Sequence, residues 1–319
     1  MKKTAILFPG QGSQEVGMGA RMAASFSSAA QCFEQASDVL GYSVTELCFH
    51  DPNNLLNQTE YSQPALYTTC MAYWNTVSEQ FGPRIFPFCF AGHSLGQFTA
   101  LGSANSYSFD DGLLLVHKRA SLMAEAGKQA PGGMAVVIGG DLLSLQQTCA
   151  TLQQQHGYVL VIANDNAPGQ VVLSGDLAAL QAIKDLKSQL GYKLFRQLPI
   201  SVACHSARMS IVQPDFDHSI NATPFEPAAA PLMANTSATL IQAPDPIRSE
   251  LKEQLCGPVR WQESILALSA LGIEQFLEIG PGEVLTGLVK RILPSAECIH
   301  FSHPEDLDAV QQWLDGGNH

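Results

Sequence analysis

The sequence predicts an α/β fold: a mainly parallel sheet covered by helices, with a smaller βαββαβ unit set into it. Three observations predict this. Apolar, strand-like runs alternate with helix-period stretches in both the first and the last third of the chain. Over roughly residues 130–199 the rhythm changes to the split ferredoxin-like order. The chain has 319 residues, 46% of them hydrophobic, enough for a large core with a smaller one inserted.

In chain order, "AILFPGQG" reads as a buried strand running into a glycine-rich loop. "FPFCFAGHSLGQFTALGSA" reads as a strand over Phe86–Phe90, a tight turn and a helix over Gly96–Ala104. Ser108 with Asp111 three residues later forms a capping box. It opens a helix "DGLLLVHKRASLMAEAG" that Gly127 is placed to close. Then come the strand "GMAVVIGG", the helix "DLLSLQQTCATLQQQ" and the strands "YVLVIANDN" and "GQVVLSG". The helix "DLAALQAIKDLKSQL" and the strand "KLFRQLPIS" complete the inserted unit. "QFLEIGPG" is a late buried strand and "EVLTGLVKRIL" a helix after it.

Composition removes several classes of function. Pro9 and Gly10 break the first apolar run before a secretory core could finish, so the expected location is cytoplasmic. No stretch approaches the ~18 apolar residues of a spanning helix. The formal charge of −12 argues against nucleic acid as the main partner. Eight cysteines contain no C-x-x-C pair and read as buried thiols. For the same reason the sequons at Asn57, Asn221 and Asn235 carry no meaning. The basic residues Lys184, Lys187, Lys193 and Arg196, and Lys290 with Arg291, read as solvated faces.

The chemistry begins at "GHSLG", a Gly-x-Ser-x-Gly frame between a strand and a helix. A serine hydroxyl becomes a useful nucleophile only with a base to take its proton and donors to steady the oxyanion. A strand–turn–helix elbow exposes Ser94 and aims the first helical N–H groups at the developing charge. Nine histidines are candidates for the base, and spacing does not choose among them. His93 adjoins Ser94 and must point elsewhere on so tight a turn. His205 follows the last strand of the inserted unit, a junction suited to a catalytic loop.

Seven collinear motifs then narrow the choice: "LFPGQGSQ" (7–14), "AGHSLGQ" (91–97), "RASLM" (119–123), "NDNAPGQVVLSG" (164–175), "HSARM" (205–209), "QLCGPVRW" (254–261) and "EIGPGEVLTGL" (278–288). From residue 4 to about 292 the chain resembles the malonyl-CoA:acyl carrier protein transacylase family, which includes the acyltransferase domains of polyketide synthases. The resemblance implies a large α/β-hydrolase-like catalytic domain, residues 1–129 and 200–319, with an inserted ferredoxin-like subdomain, residues 130–199. It implies Ser94 as the acylated nucleophile and His205 as the base. Backbone N–H groups of Gln11 and Leu95 form the oxyanion hole, and a main-chain carbonyl near Gln254 orients the base. Arg119 pairs with the free carboxylate of a malonyl group. Gln254, Gln63 and Asn166 fall on cleft positions and are expected to bind substrate. Read as residues alone, Gln63 before Pro64 suits a helix cap, and Asn166 suits a turn.

The implied activity is transfer of malonyl from malonyl-CoA to the phosphopantetheine thiol of an acyl carrier protein, in fatty-acid or polyketide synthesis. No metal or cofactor is implied, and a monomer is expected. Carrier proteins are acidic, which makes the two basic clusters candidate docking points. The alternative is an editing acyl hydrolase of the same fold; such enzymes tend to lack the arginine that this chain has at 119. A non-catalytic docking subunit conflicts with an intact Ser94, His205 and Gln11. A generic serine esterase conflicts with the lack of a motif-matched acid between Ser94 and His205. Two departures stand out. Gln97 replaces the acid of the GHSLGE or GHSLGD pattern, removing a negative charge near the elbow. Cys204, before His205, is small and implies a roomier pocket than the Ala-Phe of polyketide malonyl domains; it reads as a packing residue.

Overall fold

The computed structural model describes residues 2–316. Its strands are Lys3–Phe8 (β1), Pro87–Gly92 (β2), Gly133–Gly139 (β3), Leu160–Ala167 (β4), Gln170–Gly175 (β5), Tyr192–Gln197 (β6), Leu232–Met233 (β7), Leu240–Ile241 (β8), Ile273–Ile279 (β9) and Glu297–Phe301 (β10). Six form one sheet in the order β10-β9-β1-β2-β7-β8, parallel throughout except for the β7–β8 pair. Central parallel strands are covered on both faces, so they read as continuous apolar runs. In β1, Ile6 and Phe8 enter one core while Ala5 and Leu7 enter the core on the opposite face. The same alternation sends Phe90 of β2 one way and Cys89 and Ala91 the other.

The remaining four strands form a separate antiparallel sheet in the order β4-β5-β3-β6. Here period 2 separates helix contacts from contacts with the larger core. Ala135, Val137, Val171 and Leu173 pack with helices Leu142–His156 and Leu177–Asp185. Met134 and Val172, on the opposite face, join the core of the large sheet. Edge strand β4 is tied to the loop before Trp261: Val259 N–H donates to Ala163 O at 2.8 Å, and Asp165 N–H donates to Val259 O at 3.0 Å.

Local readings fail where packing overrides them. Gly127 does not close its helix, which runs Phe109–Gln129. The missing side chain instead makes room for Val202, whose Cγ2 lies 2.7 Å from where a Cβ would stand. The expected helix over 176–190 breaks at Leu186 into Leu177–Asp185 and Lys187–Leu190. Gln63 is no cap: helix Thr59–Phe81 begins a turn earlier and runs through Pro64. Asn166 lies within β4 rather than in a turn. Phe86 is 76% exposed and outside the strand, which starts at Pro87. The capping box forms as read, with Asp111 N–H donating to Ser108 Oγ at 3.1 Å.

The two glycines of the serine frame permit backbone contact. A Cβ on Gly92 would stand 1.9 Å from Gly96 C, and one on Gly96 would stand 2.0 Å from Phe8 O. Gly96→Ala is therefore expected to lower stability by ~1–3 kcal/mol or more, read as a drop in the urea midpoint. Gly287→Ala, exposed in helix Val284–Ile292 with nothing within 4 Å, should be neutral or stabilising by up to ~1 kcal/mol. Equal midpoints for the two variants would refute the contact.

Candidate active site

Ser94 sits between β2 and helix Leu95–Ser103 with φ 51° and ψ −103°. A non-glycine residue in this region is strained by about 1–3 kcal/mol and needs support. Asn235 supplies it: its Oδ1 accepts from Ser94 N–H at 2.8 Å, and its Nδ2 donates to Gly92 O at 2.8 Å. A second strained residue faces the serine. His205 has φ 56°, and its Nε2 lies 2.7 Å from Ser94 Oγ. Its Nδ1 lies 2.9 Å from Gln254 O and 3.0 Å from Gly257 O. Two carbonyls accept there, so Nδ1 carries the proton and Nε2 presents a lone pair to the hydroxyl.

Arg119 completes the group. Its side chain is 1% exposed, and Nη2 donates to Ser94 Oγ at 3.1 Å and to Gln254 Oε1 at 3.0 Å. Nη1 donates to Gln63 Oε1 at 2.7 Å. None of these acceptors is a carboxylate, and Nε has no partner among the described residues. Cζ lies 5.2 Å from the centre of the Phe98 ring. Burial pulls the guanidinium pKa down to about 10.

Burial also pushes the His205 pKa down to about 3; the Arg119 charge adds to this, against the two carbonyl bonds. The imidazole is therefore neutral at rest. Cys204 lines the same cleft, and burial, partly offset by Arg119, pushes its thiol up to about 11. It stays protonated and packs.

These groups open on a cleft of about 380 Å³, bounded on one side by Gly10–Gln14 and on the other by β4, β5 and the segment after β6. Gln11 lines it, while Leu95 is the first residue of the helix after the elbow. Neither amide donates to another backbone group among the described residues. His93 points away from Ser94: its Nε2 meets Asn166 Oδ1 at 2.8 Å, and its ring centre lies 5.5 Å from that of Trp261. Arg196 lines the cleft, whereas Arg291 is turned to Gln170 and Pro168 O. Of the nine histidines, His319 lies outside the described residues. Among the described residues no cluster of three or more His, Cys, Asp or Glu is arranged to hold a metal.

Two expectations need correction. Gln254 and Gln63 are fully buried behind the guanidinium and do not line the cleft. Their amides are occupied by protein groups: Gln254 Nε2 donates to Ser94 O at 2.9 Å and to Gln97 Oε1 at 2.5 Å. Gln63 Nε2 lies 3.3 Å from Gln11 Oε1. Their oxygens accept from Arg119 and brace it. Sequence reading also missed Asn235, visible only as a sequon, because it acts through contacts with Ser94 N–H and Gly92 O that lie far away in the chain.

Residues 6–303 match the family described as an acyl transferase domain. The chain belongs to this family. It is 36% identical over 314 residues to the malonyl CoA-acyl carrier protein transacylase of Bacillus subtilis, covering 98% of each chain. It is 39% identical over 297 residues to the polyketide biosynthesis protein PksE of the same organism, covering 92% of this chain and 37% of that one. The structure of an acyl carrier protein S-malonyltransferase from Vibrio cholerae is similar at 38% identity and TM-score 0.91, covering 97% of this chain and 99% of that one. A malonyl-transacylase solved in complex with a type II polyketide synthase acyl-carrier protein is similar at 36% identity and TM-score 0.93, covering 97% and 99%. No helix among the described residues is long and apolar enough to cross a membrane.

The buried imidazole has a consequence for acid stability. Its folded pKa of about 3 lies below the ordinary 6.5, so between those values the unfolded chain binds the extra proton. The contribution is fully present above about pH 6.5 and is lost as pH falls toward 3. On going from about pH 7 to about pH 4.5, wild-type melting temperature should fall more than that of His205→Asn. Parallel curves would refute a neutral buried imidazole.

Proposed function

We propose that this chain moves a malonyl group from malonyl-CoA to the phosphopantetheine thiol of an acyl carrier protein through a malonyl ester on Ser94. One observation carries the reading: a buried guanidinium that, among the described residues, bonds to no carboxylate donates to the same hydroxyl that the neutral imidazole contacts. A free carboxylate on the acyl group supplies the missing counter-charge, and the unpartnered Nε supplies a donor for it.

In the first half-reaction His205 Nε2 takes the Ser94 proton as Oγ attacks the thioester carbonyl. The Gln11 and Leu95 amides steady the oxyanion, and collapse expels CoA thiolate, which takes the proton from His205. In the second, His205 deprotonates the carrier's thiol, which attacks the ester and releases Ser94. Substrate carboxylate bound at Arg119 offsets the charge that depresses the imidazole pKa, so malonyl binding strengthens the base. The cleft runs between the two sheets, which supports residues 130–199 as an inserted subdomain on the catalytic part, residues 1–129 and 200–319. Arg196 at that cleft is a candidate contact for the acidic carrier.

Incubation with malonyl-CoA should give a malonyl adduct that maps to Ser94, empties onto holo carrier protein and is absent in Ser94→Ala. Rapid release of free acid from many acyl groups would instead indicate a hydrolase. In Arg119→Ala, loss of charge-assisted bonds worth ~1.5–3 kcal/mol each should cut malonyl loading at least a hundredfold. Use of acetyl-CoA should rise relative to malonyl-CoA; unchanged selectivity would overturn the pairing.

A further inference from the structure

Glu250, on helix Pro244–Cys256, is 5% exposed, and its carboxylate meets no Lys or Arg. Oε1 accepts from Asn235 N–H at 2.6 Å, from Thr236 N–H at 3.1 Å and from Gln97 Nε2 at 3.0 Å. Oε2 accepts from Thr236 Oγ1 at 2.5 Å. From this carboxylate a chain of side chains leads to the reacting hydroxyl. Gln97 Oε1 accepts from Gln254 Nε2, Gln254 Oε1 accepts from Arg119 Nη2, and Arg119 Nη2 donates to Ser94 Oγ.

The two ends of the chain set its polarity. A carboxylate only accepts and a guanidinium only donates, so both intervening amides are forced into one orientation. Gln97 must turn its NH2 to Glu250, which leaves its oxygen for Gln254, whose own oxygen is then left for Arg119. The same carboxylate also holds Asn235, which braces the Ser94 backbone. A second carboxylate at position 97 would face Glu250 across a hydrogen-bond distance with no donor between the two. Gln97 thus fits an elbow whose negative charge stands at position 250.

We propose that Glu250 is a positioning residue for the transfer: acting through Gln97 and Gln254, it orients the Arg119 guanidinium toward the substrate carboxylate. This rests on the malonyl reading of the site.

The test compares wild type, Gln97→Glu and Glu250→Gln, measuring kcat and KM for malonyl-CoA and acetyl-CoA loading together with melting temperature. Each single variant should lower malonyl kcat/KM by about tenfold, with a smaller loss for acetyl-CoA, because orientation of the guanidinium matters only to the charged acyl group. A purely structural role would lower melting temperature and leave the malonyl-to-acetyl ratio unchanged; that result in Gln97→Glu and Glu250→Gln overturns the proposal. Should wild type itself fail to take malonyl, the proposed function falls; the melting temperatures of the two variants still read the contact between Gln97 and Glu250, and no shift in either would separately refute it.

Discussion

A guanidinium held in a closed interior must find acceptors for its donors and a partner for its charge. Arg119 has the first in part and, among the described residues, lacks the second: Gln63, Gln254 and Ser94 accept from it, all of them neutral. Burial and this placement together set the site's electrostatics. Together with burial, the charge holds the His205 imidazole neutral, and it partly offsets the upward push of burial on the Cys204 thiol. In the proposed cycle the arriving carboxylate relieves the imbalance. Recognition of the acyl group and readiness of the base then become one electrostatic event.

Geometry is kept by close backbone approach rather than by charge. Ser94 and His205 both sit at positive φ, each in a conformation that costs free energy on its own. The glycines at 92 and 96 let the elbow close on itself and on β1, while Asn235 and the carbonyls of Gln254 and Gly257 lock the two strained residues. A neutral pair of carbonyls orients the imidazole here in place of a buried acid. Beneath this layer, Glu250 ties Asn235 and Gln97 together, so that the elbow and the guanidinium share one support.

Element order was readable from the sequence wherever burial follows periodicity. The apolar stretches of β1 and β2 are continuous because both their faces are covered, and the alternation in β3 and β5 separates helix-facing from cleft-facing residues. Reading failed where a residue answers to a distant neighbour. Gly127 looks like a helix stop but makes room for Val202, and Gln63 looks like a cap but lies a turn inside its helix under Arg119. Asn235 resembles an ordinary sequon, yet its side chain is closed into the elbow.

The sequence by itself determined the chemistry on offer: an elbow frame around Ser94, a histidine at an element junction, an arginine on an apolar helix and seven motifs in one order. These are local patterns, and local propensity and spacing carry them. Tertiary structure decided what local pattern left open: that His205 Nε2 meets Ser94 Oγ, as the motif resemblance implies, that the guanidinium turns inward with no carboxylate among its acceptors, and that Gln63 and Gln254 stand behind it. The physical reason is that side-chain direction and desolvation are set by contacts between residues far apart in the chain, 111 positions apart for Ser94 and His205 and 153 for Gln97 and Glu250. No local pattern encodes contacts over such separations.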